Sequence, residues 1–206
     1  PLVEAFVLDR LDFIVRDREE RLAWLATRQA AEVPFAHSGY RPGQREIVAD
    51  IEEKLAQKKH LLMTAPTGSG KTAAVLHATL RYAYRNDMRV FIATAKGTQQ
   101  AIAQKTLAAI QERGLPLRAV TIRAKEKACL NEVVDCRPES CKYAESYFDK
   151  LLDEHVIERV RNQGVATPAA LTEEARRAIV CPFELSLQVS DHADVIIGDY
   201  NYVFGP

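Results

Sequence analysis

Residues 65–72 read Ala-Pro-Thr-Gly-Ser-Gly-Lys-Thr, and no other stretch restricts the possible folds as strongly. Each residue type answers a need of a phosphate-binding turn. Gly68 and Gly70 carry no side chain, so backbone N–H groups can crowd around phosphate oxygens. Lys71 brings a point charge to the terminal phosphates. Thr72 offers a hydroxyl to Mg²⁺, and a helix starting there aims its positive end at the anion. Such a turn needs a strand before it and a helix after it. His60-Leu61-Leu62-Met63-Thr64 reads as a buried strand, and Thr72–Arg85 as a helix. Ala65, Pro66, Thr67, Gly68, Ser69, Gly70, Lys71 and Thr72 are therefore the candidate nucleotide-binding residues, with Lys71 and Thr72 closest to any chemistry.

The same alternation continues along the chain. A helix is expected at 45–57, a strand at 60–65, a helix at 71–86, a strand at 89–94, a helix at 98–113 and a strand at 117–123. A last strand, Asp194–Asp199, comes much later. Repeated strand–helix units imply an α/β fold with a parallel sheet and helices on both faces. Runs such as Val90-Phe91-Ile92-Ala93 suit strands buried on both sides. Residues 1–34 read as an amphipathic helical segment, either a structural helix or a linker. The motor-like alternation spans 35–124 and 183–206. Between them, 125–182 breaks the pattern and reads as a mostly helical insertion with its own small core. A helix is expected over 145–162, which makes Asp153-Glu154-His155 a solvated helical stretch.

Composition narrows the function classes. With 28 basic and 28 acidic residues, bulk charge gives no reason to expect nucleic acid, so any such contact needs a local patch. No run of eighteen apolar residues spans a membrane. The first residues include an early acid and no basic region, unlike a signal peptide. The chain does not begin with Met, which suggests a piece of something longer. Its four cysteines, Cys129, Cys136, Cys141 and Cys181, all lie in the insertion. By spacing they fit an iron–sulfur cluster, an all-cysteine zinc site or buried free thiols. The absence of a close cysteine pair, and Pro182 directly after Cys181, favour the cluster.

Several further pieces stand in a fixed order: Tyr40-Arg41-Pro42-Gly43-Gln44, the 65–72 loop, and Thr94-Ala95-Lys96-Gly97-Thr98-Gln99. The cysteines follow, then Cys181-Pro182-Phe183-Glu184-Leu185 and Ala193-Asp194-Val195-Ile196-Ile197-Gly198-Asp199-Tyr200-Asn201-Tyr202. In that order they resemble the XPD/DinG family of superfamily 2 iron–sulfur DNA helicases, over about residues 35–206. Ala65 in place of the first loop glycine matches a variant common in superfamily 2. The resemblance implies a RecA-like motor domain holding ATP and Mg²⁺, with Arg41 and Gln44 at the adenine. It implies a [4Fe-4S] cluster on the four cysteines, and single-stranded DNA beside Thr94, Lys96, Thr98, Arg123, Lys125 and Lys127. Bases could stack on Tyr143, Tyr147 or Phe148. The intact parent would be an ATP-driven 5′ to 3′ helicase working in DNA repair, in the cytoplasm, at the bacterial nucleoid or in a nucleus.

The family's Asp-Glu-Ala-His box and second motor domain are missing from the 206 residues, so these alone are expected to bind nucleotide without hydrolysing it. Gly205 stands where the family usually has Asp. The competing reading is a nucleotide-switch module with a four-cysteine zinc or redox-sensing site.

Overall fold

The computed structural model describes residues 2–66, 68–153 and 155–205. A long helix, α1 (Leu2–Ala30), is followed by α2 (Gln44–Ala56) and α3 (Lys71–Arg85). Strand β1 (Val90–Thr94) leads to α4 (Gly97–Glu112) and β2 (Ala119–Thr121). Next come α5 (Lys125–Ala128), α6 (Tyr147–Asp153), α7 (Val156–Asn162) and a two-residue strand, β3 (Val165–Ala166). Helices α8 (Pro168–Ala178) and α9 (Pro182–Ser190) precede β4 (Val195–Asp199) and α10 (Asn201–Phe204).

The strands form one parallel sheet in the order β1-β4-β2-β3. Val90 to Thr94 lie opposite Val195 to Asp199, and Ala119 to Thr121 opposite Val195 to Ile197. Strand alternation divides the side chains between two cores. Ala119, Val195 and Ile197 pack with Leu76 and Leu80 of α3 and Leu107 and Ile110 of α4. Val120 packs on the other side with Val160, Leu171 and Leu185, and Ile196 lies against this second group. Both faces of β2 and β4 are covered, as their apolar runs imply, but the outer strand β1 leaves Phe91 and Ala93 exposed, so the Val90–Ala93 run is not buried on both sides as expected. Helix α2 lies against α3 through Val48, Ile51, Ala74 and Ala78. This is the α/β architecture that the alternation implied.

Three further local expectations fail, each for a physical reason. Residues 59–66 make no strand, and Leu62 is 98% exposed. The outer strand β1 pairs only with β4, so the 60–65 run has no ladder to satisfy its backbone groups. The helix expected over 145–162 breaks at His155, which takes a left-handed conformation with φ 48°. Exposed His155 pairs with Glu158 at 3.2 Å, and Glu154 lies outside the described residues. Residues 125–182 share a core with the sheet instead of forming their own. Strand β3 adds to the sheet beside β2, and Tyr147, Leu151, Val160 and Val180 pack with Val120.

Helix α1 is anchored along its second half. Asp194, at the start of β4 and 2% exposed, is the hub. Its Oδ1 accepts from Trp24 Nε1 at 3.0 Å and from the Arg28 guanidinium at 2.9 Å. Its Oδ2 accepts from the Arg118 N–H at 2.9 Å and the Tyr84 hydroxyl at 3.3 Å. Burial, reinforced by the Asp194 charge, pushes the Tyr84 hydroxyl well above the usual phenol range. Glu20 pairs with Arg118 and Arg161, and the Arg118 guanidinium stacks 3.9 Å from the Trp24 ring centroid.

Candidate functional site

Helix α3 runs back along the sheet before β1 begins, so its first turn lies toward the carboxyl ends of the strands. Parallel α/β sheets bind their ligands there. Gly68 and Gly70 have φ of 80° and 75°, values that only glycine adopts without strain. No side chain caps the N-terminus of α3, and its first turn holds no acid. Its leading N–H groups are left to an anion. Among the described residues the Ser69 hydroxyl is buried with no partner. Lys71 Nζ donates to the carbonyls of Ala65 at 2.7 Å and Pro66 at 2.8 Å, folding the cation over its own loop. Half-buried Thr72 follows in the first turn. Thr67 lies outside the described residues.

The residues expected at the base lie against the loop. Gln44 is 1% exposed. Its Nε2 donates to the carbonyls of Ser69 at 3.0 Å and Gly70 at 3.2 Å, while its Oε1 accepts from the Arg41 N–H at 2.7 Å. The Arg41 side chain donates to the Gly68 carbonyl at 2.9 Å. A Cβ at Gly70 would run into the Gln44 amide nitrogen. Sequence reading found these residues and missed their partners, because loop carbonyls carry no sequence signal.

All four cysteines line one cavity of about 200 Å³, with Lys125, Tyr147, Phe148 and Glu184 among its other walls. Cys141 is buried, Cys129 and Cys181 are half-buried, and Cys136 is exposed. Among the described residues, no three metal-binding side chains stand close enough to share one ion. Among the described residues the Tyr147 hydroxyl, in the cavity wall, is buried without a partner. Asn131, which sequence reading did not single out, places its Nδ2 3.3 Å from the Cys141 sulfur. Burial pushes the Cys181 thiol up, against backbone N–H groups of Glu184 and Phe183 that favour the thiolate.

The residues expected at DNA divide. Thr94 is buried, and its hydroxyl donates to the Gly198 carbonyl at 3.1 Å, tying β1 to β4. Lys96 and Thr98 are exposed at the start of α4, as are Arg123 and Lys127 just beyond β2. Lys125 turns to the cysteine cavity, 3.4 Å from Glu184 and 4.9 Å from the Phe183 ring centroid. Of the expected stacking aromatics, Tyr147 is buried, Tyr143 is half-buried and Phe148 is exposed. Tyr200, Tyr202 and Phe204 are also exposed, just beyond β4; sequence reading quoted Tyr200 and Tyr202 within a motif but offered none of the three as a stacking group. Among the described residues no helix is long and apolar enough to cross a membrane.

The parallel sheet with the glycine-rich 65–72 loop toward its carboxyl edge is consistent with a RecA-like domain, and two family models indicate a superfamily 2 helicase-type domain. The Type III restriction enzyme, res subunit model matches residues 38–136. The DEAD_2 model matches residues 93–206, more than half of the chain, and the chain belongs to that family. No curated protein matches it.

Proposed function

We propose that these residues are part of an ATP-driven helicase motor of the XPD/DinG type, which acts on DNA in the 5′ to 3′ direction. The uncapped first turn of α3, with Lys71 beside it, supports the nucleotide site. ATP phosphates would draw Lys71 off the Ala65 and Pro66 carbonyls, and Thr72 would meet Mg²⁺. The DEAD_2 family supports the choice, since that domain occurs in helicases of this type. Single-stranded DNA would run along the carboxyl edge past Lys96, Thr98, Arg123 and Lys127, held by phosphate contacts and stacking.

The cysteine cavity is read as a [4Fe-4S] site because all four thiols line it and because of the resemblance to iron–sulfur helicases. Cys129, Cys136, Cys141 and Cys181 would hold the cluster, which would cross-link the 129–141 segment to the start of α9. Anaerobically purified protein should carry iron and absorb broadly in the visible. Stoichiometric zinc without iron would refute the cluster. Titration with a fluorescent ATP analogue tests the motor itself. Lys71→Ala should weaken binding by about tenfold or more, the scale of one charge-assisted contact. Unchanged binding would move the nucleotide site elsewhere.

A further inference from the structure

Arginines gather at the other edge of the sheet. A cleft of about 590 Å³ opens where the chain enters β1, β2 and β4, at the edge away from the phosphate loop. Helix α1 contributes Arg18, Arg21 and Arg28 to its wall, and the strand entries contribute Arg89 and Arg118. Most carboxylates nearby are already engaged. Asp194 accepts from four donors, and Asp87 pairs with Arg28. Glu20 serves both Arg118 and Arg161. Asp17 pairs with Arg21 one turn along the same helix, an exposed contact of little strength. Exposed Arg18 has no carboxylate partner among the described residues, and exposed Arg89 gives one N–H to the Ser190 carbonyl at 3.1 Å. Asp191, also exposed in the wall, is the carboxylate set against them. His192 in the same wall registers the balance. After burial, the charges of Arg161, Arg21 and Arg118 all hold it away from its protonated form, and Asp17 opposes them.

We propose that this cleft binds phosphate groups, those of a single nucleic-acid strand or of a free polyphosphate, between Arg18 on α1 and Arg89 at the entry to β1. A guanidinium fork matches carboxylate and phosphate alike. Phosphate is favoured because the cations come from two sides, and its oxygens are numerous enough to serve both. Parallel α/β sheets take their nucleotides at the carboxyl edge. The cleft lies at the opposite edge, so it is separate from the 65–72 loop and does not depend on the nucleotide reading. A phosphate held there ties α1 to the strand entries.

The test uses the chain's only tryptophan. Trp24 stands in the cleft wall with the Arg118 guanidinium 3.9 Å from its ring centroid, so its fluorescence reports an anion arriving there. Lys71→Ala protein, with the loop disabled, is titrated with inorganic tripolyphosphate, a short oligothymidylate and a glutamate peptide of matching charge. Arg18→Glu with Arg89→Glu is made on the same background. Both positions are exposed, so the fold should hold, and thermal unfolding checks it. Should the pair unfold, Arg18→Ala alone gives the same comparison. The expected result is a saturable Trp24 response to phosphate ligands that weakens with added salt. The double reversal should lower the affinity by about tenfold or more, the scale of a lost charge-assisted contact. A tighter response to the oligothymidylate makes the ligand a strand, and an equal or tighter one to tripolyphosphate makes it a free polyphosphate. The proposal falls if neither moves Trp24 at millimolar concentration, if the reversed variant binds as well as its parent, or if the glutamate peptide binds as tightly as the phosphates.

Discussion

Asp194 shows how much one buried side chain can hold. Four donors from three parts of the chain meet on its two oxygens. Removing its charge would leave the buried Arg28 guanidinium with only the exposed Asp87, 2.8 Å away, as counterion. Asp194→Asn should therefore cost about 3–5 kcal/mol, the usual penalty for breaking such a pair from one side. Urea unfolding of the native and variant chains measures it, and a change below about 1 kcal/mol would mean the hub relaxes easily. None of this was legible beforehand. Asp194 stood out only as part of a motif, and its side-chain partners lie 110 to 170 residues away. The phosphate loop was legible because its requirements are local: glycines at positive φ, a lysine and a helix start lie within eight residues.

His192 carries a pH signature at the same scale. Burial first, then the Arg161 charge, depress its pKa from 6.5 to about 4, and the Arg161 guanidinium donates to its Nδ1 at 3.2 Å. Arg21, Arg118 and Asp17 also face it. The unfolded chain takes up a proton near pH 6.5 that the native chain refuses until about pH 4. The stability from neutral His192 is thus complete above that window and declines as pH falls through it. Denaturant midpoints across the window should fall in the native chain and stay flatter in His192→Gln.

Among the elements, strands were harder to foresee than helices, and the reason is non-local. Helix α3 satisfies its backbone within itself, so its pattern sufficed. The 60–65 run has a strand's composition and lacks the neighbour that would make it one. Strand β3 is two residues long and gains its identity only from pairing with β2. The cysteine cavity was half legible: the four thiols were plain, while its closure depends on α9 returning Cys181 to the 129–141 segment. On the cluster reading proposed above, substituting Cys181 with Ser should lower iron content sharply with little loss of the sheet's circular dichroism, because α9 is also held by Leu185 and Val189. Within the first core, Leu107 of α4 is fully buried, and Leu107→Ala should cost about 2–5 kcal/mol.

At the scale of the molecule, the sheet belongs to both cores. Val120 and Ile196 face one while Ala119, Val195 and Ile197 face the other. Residues 125–182 should then lose protection together with β2 and β4 in native-state hydrogen exchange. A separate unit would open at a lower free energy of its own. Exchange of α7 and α8 amides well before those of β2 would restore an independent insertion. Helix α1 meets the sheet at the opening of β4, whose far end reaches the ligand-binding edge. β4 has a bonded neighbour on each side. Tension applied through α1 would thus enter the best-braced strand along its own axis and load both ladders in shear, the geometry in which hydrogen bonds share force and do not peel one by one. Pulled by its N-terminal helix, this molecule should yield at high force, and Trp24→Ala with Arg28→Ala should release α1 at a much lower one.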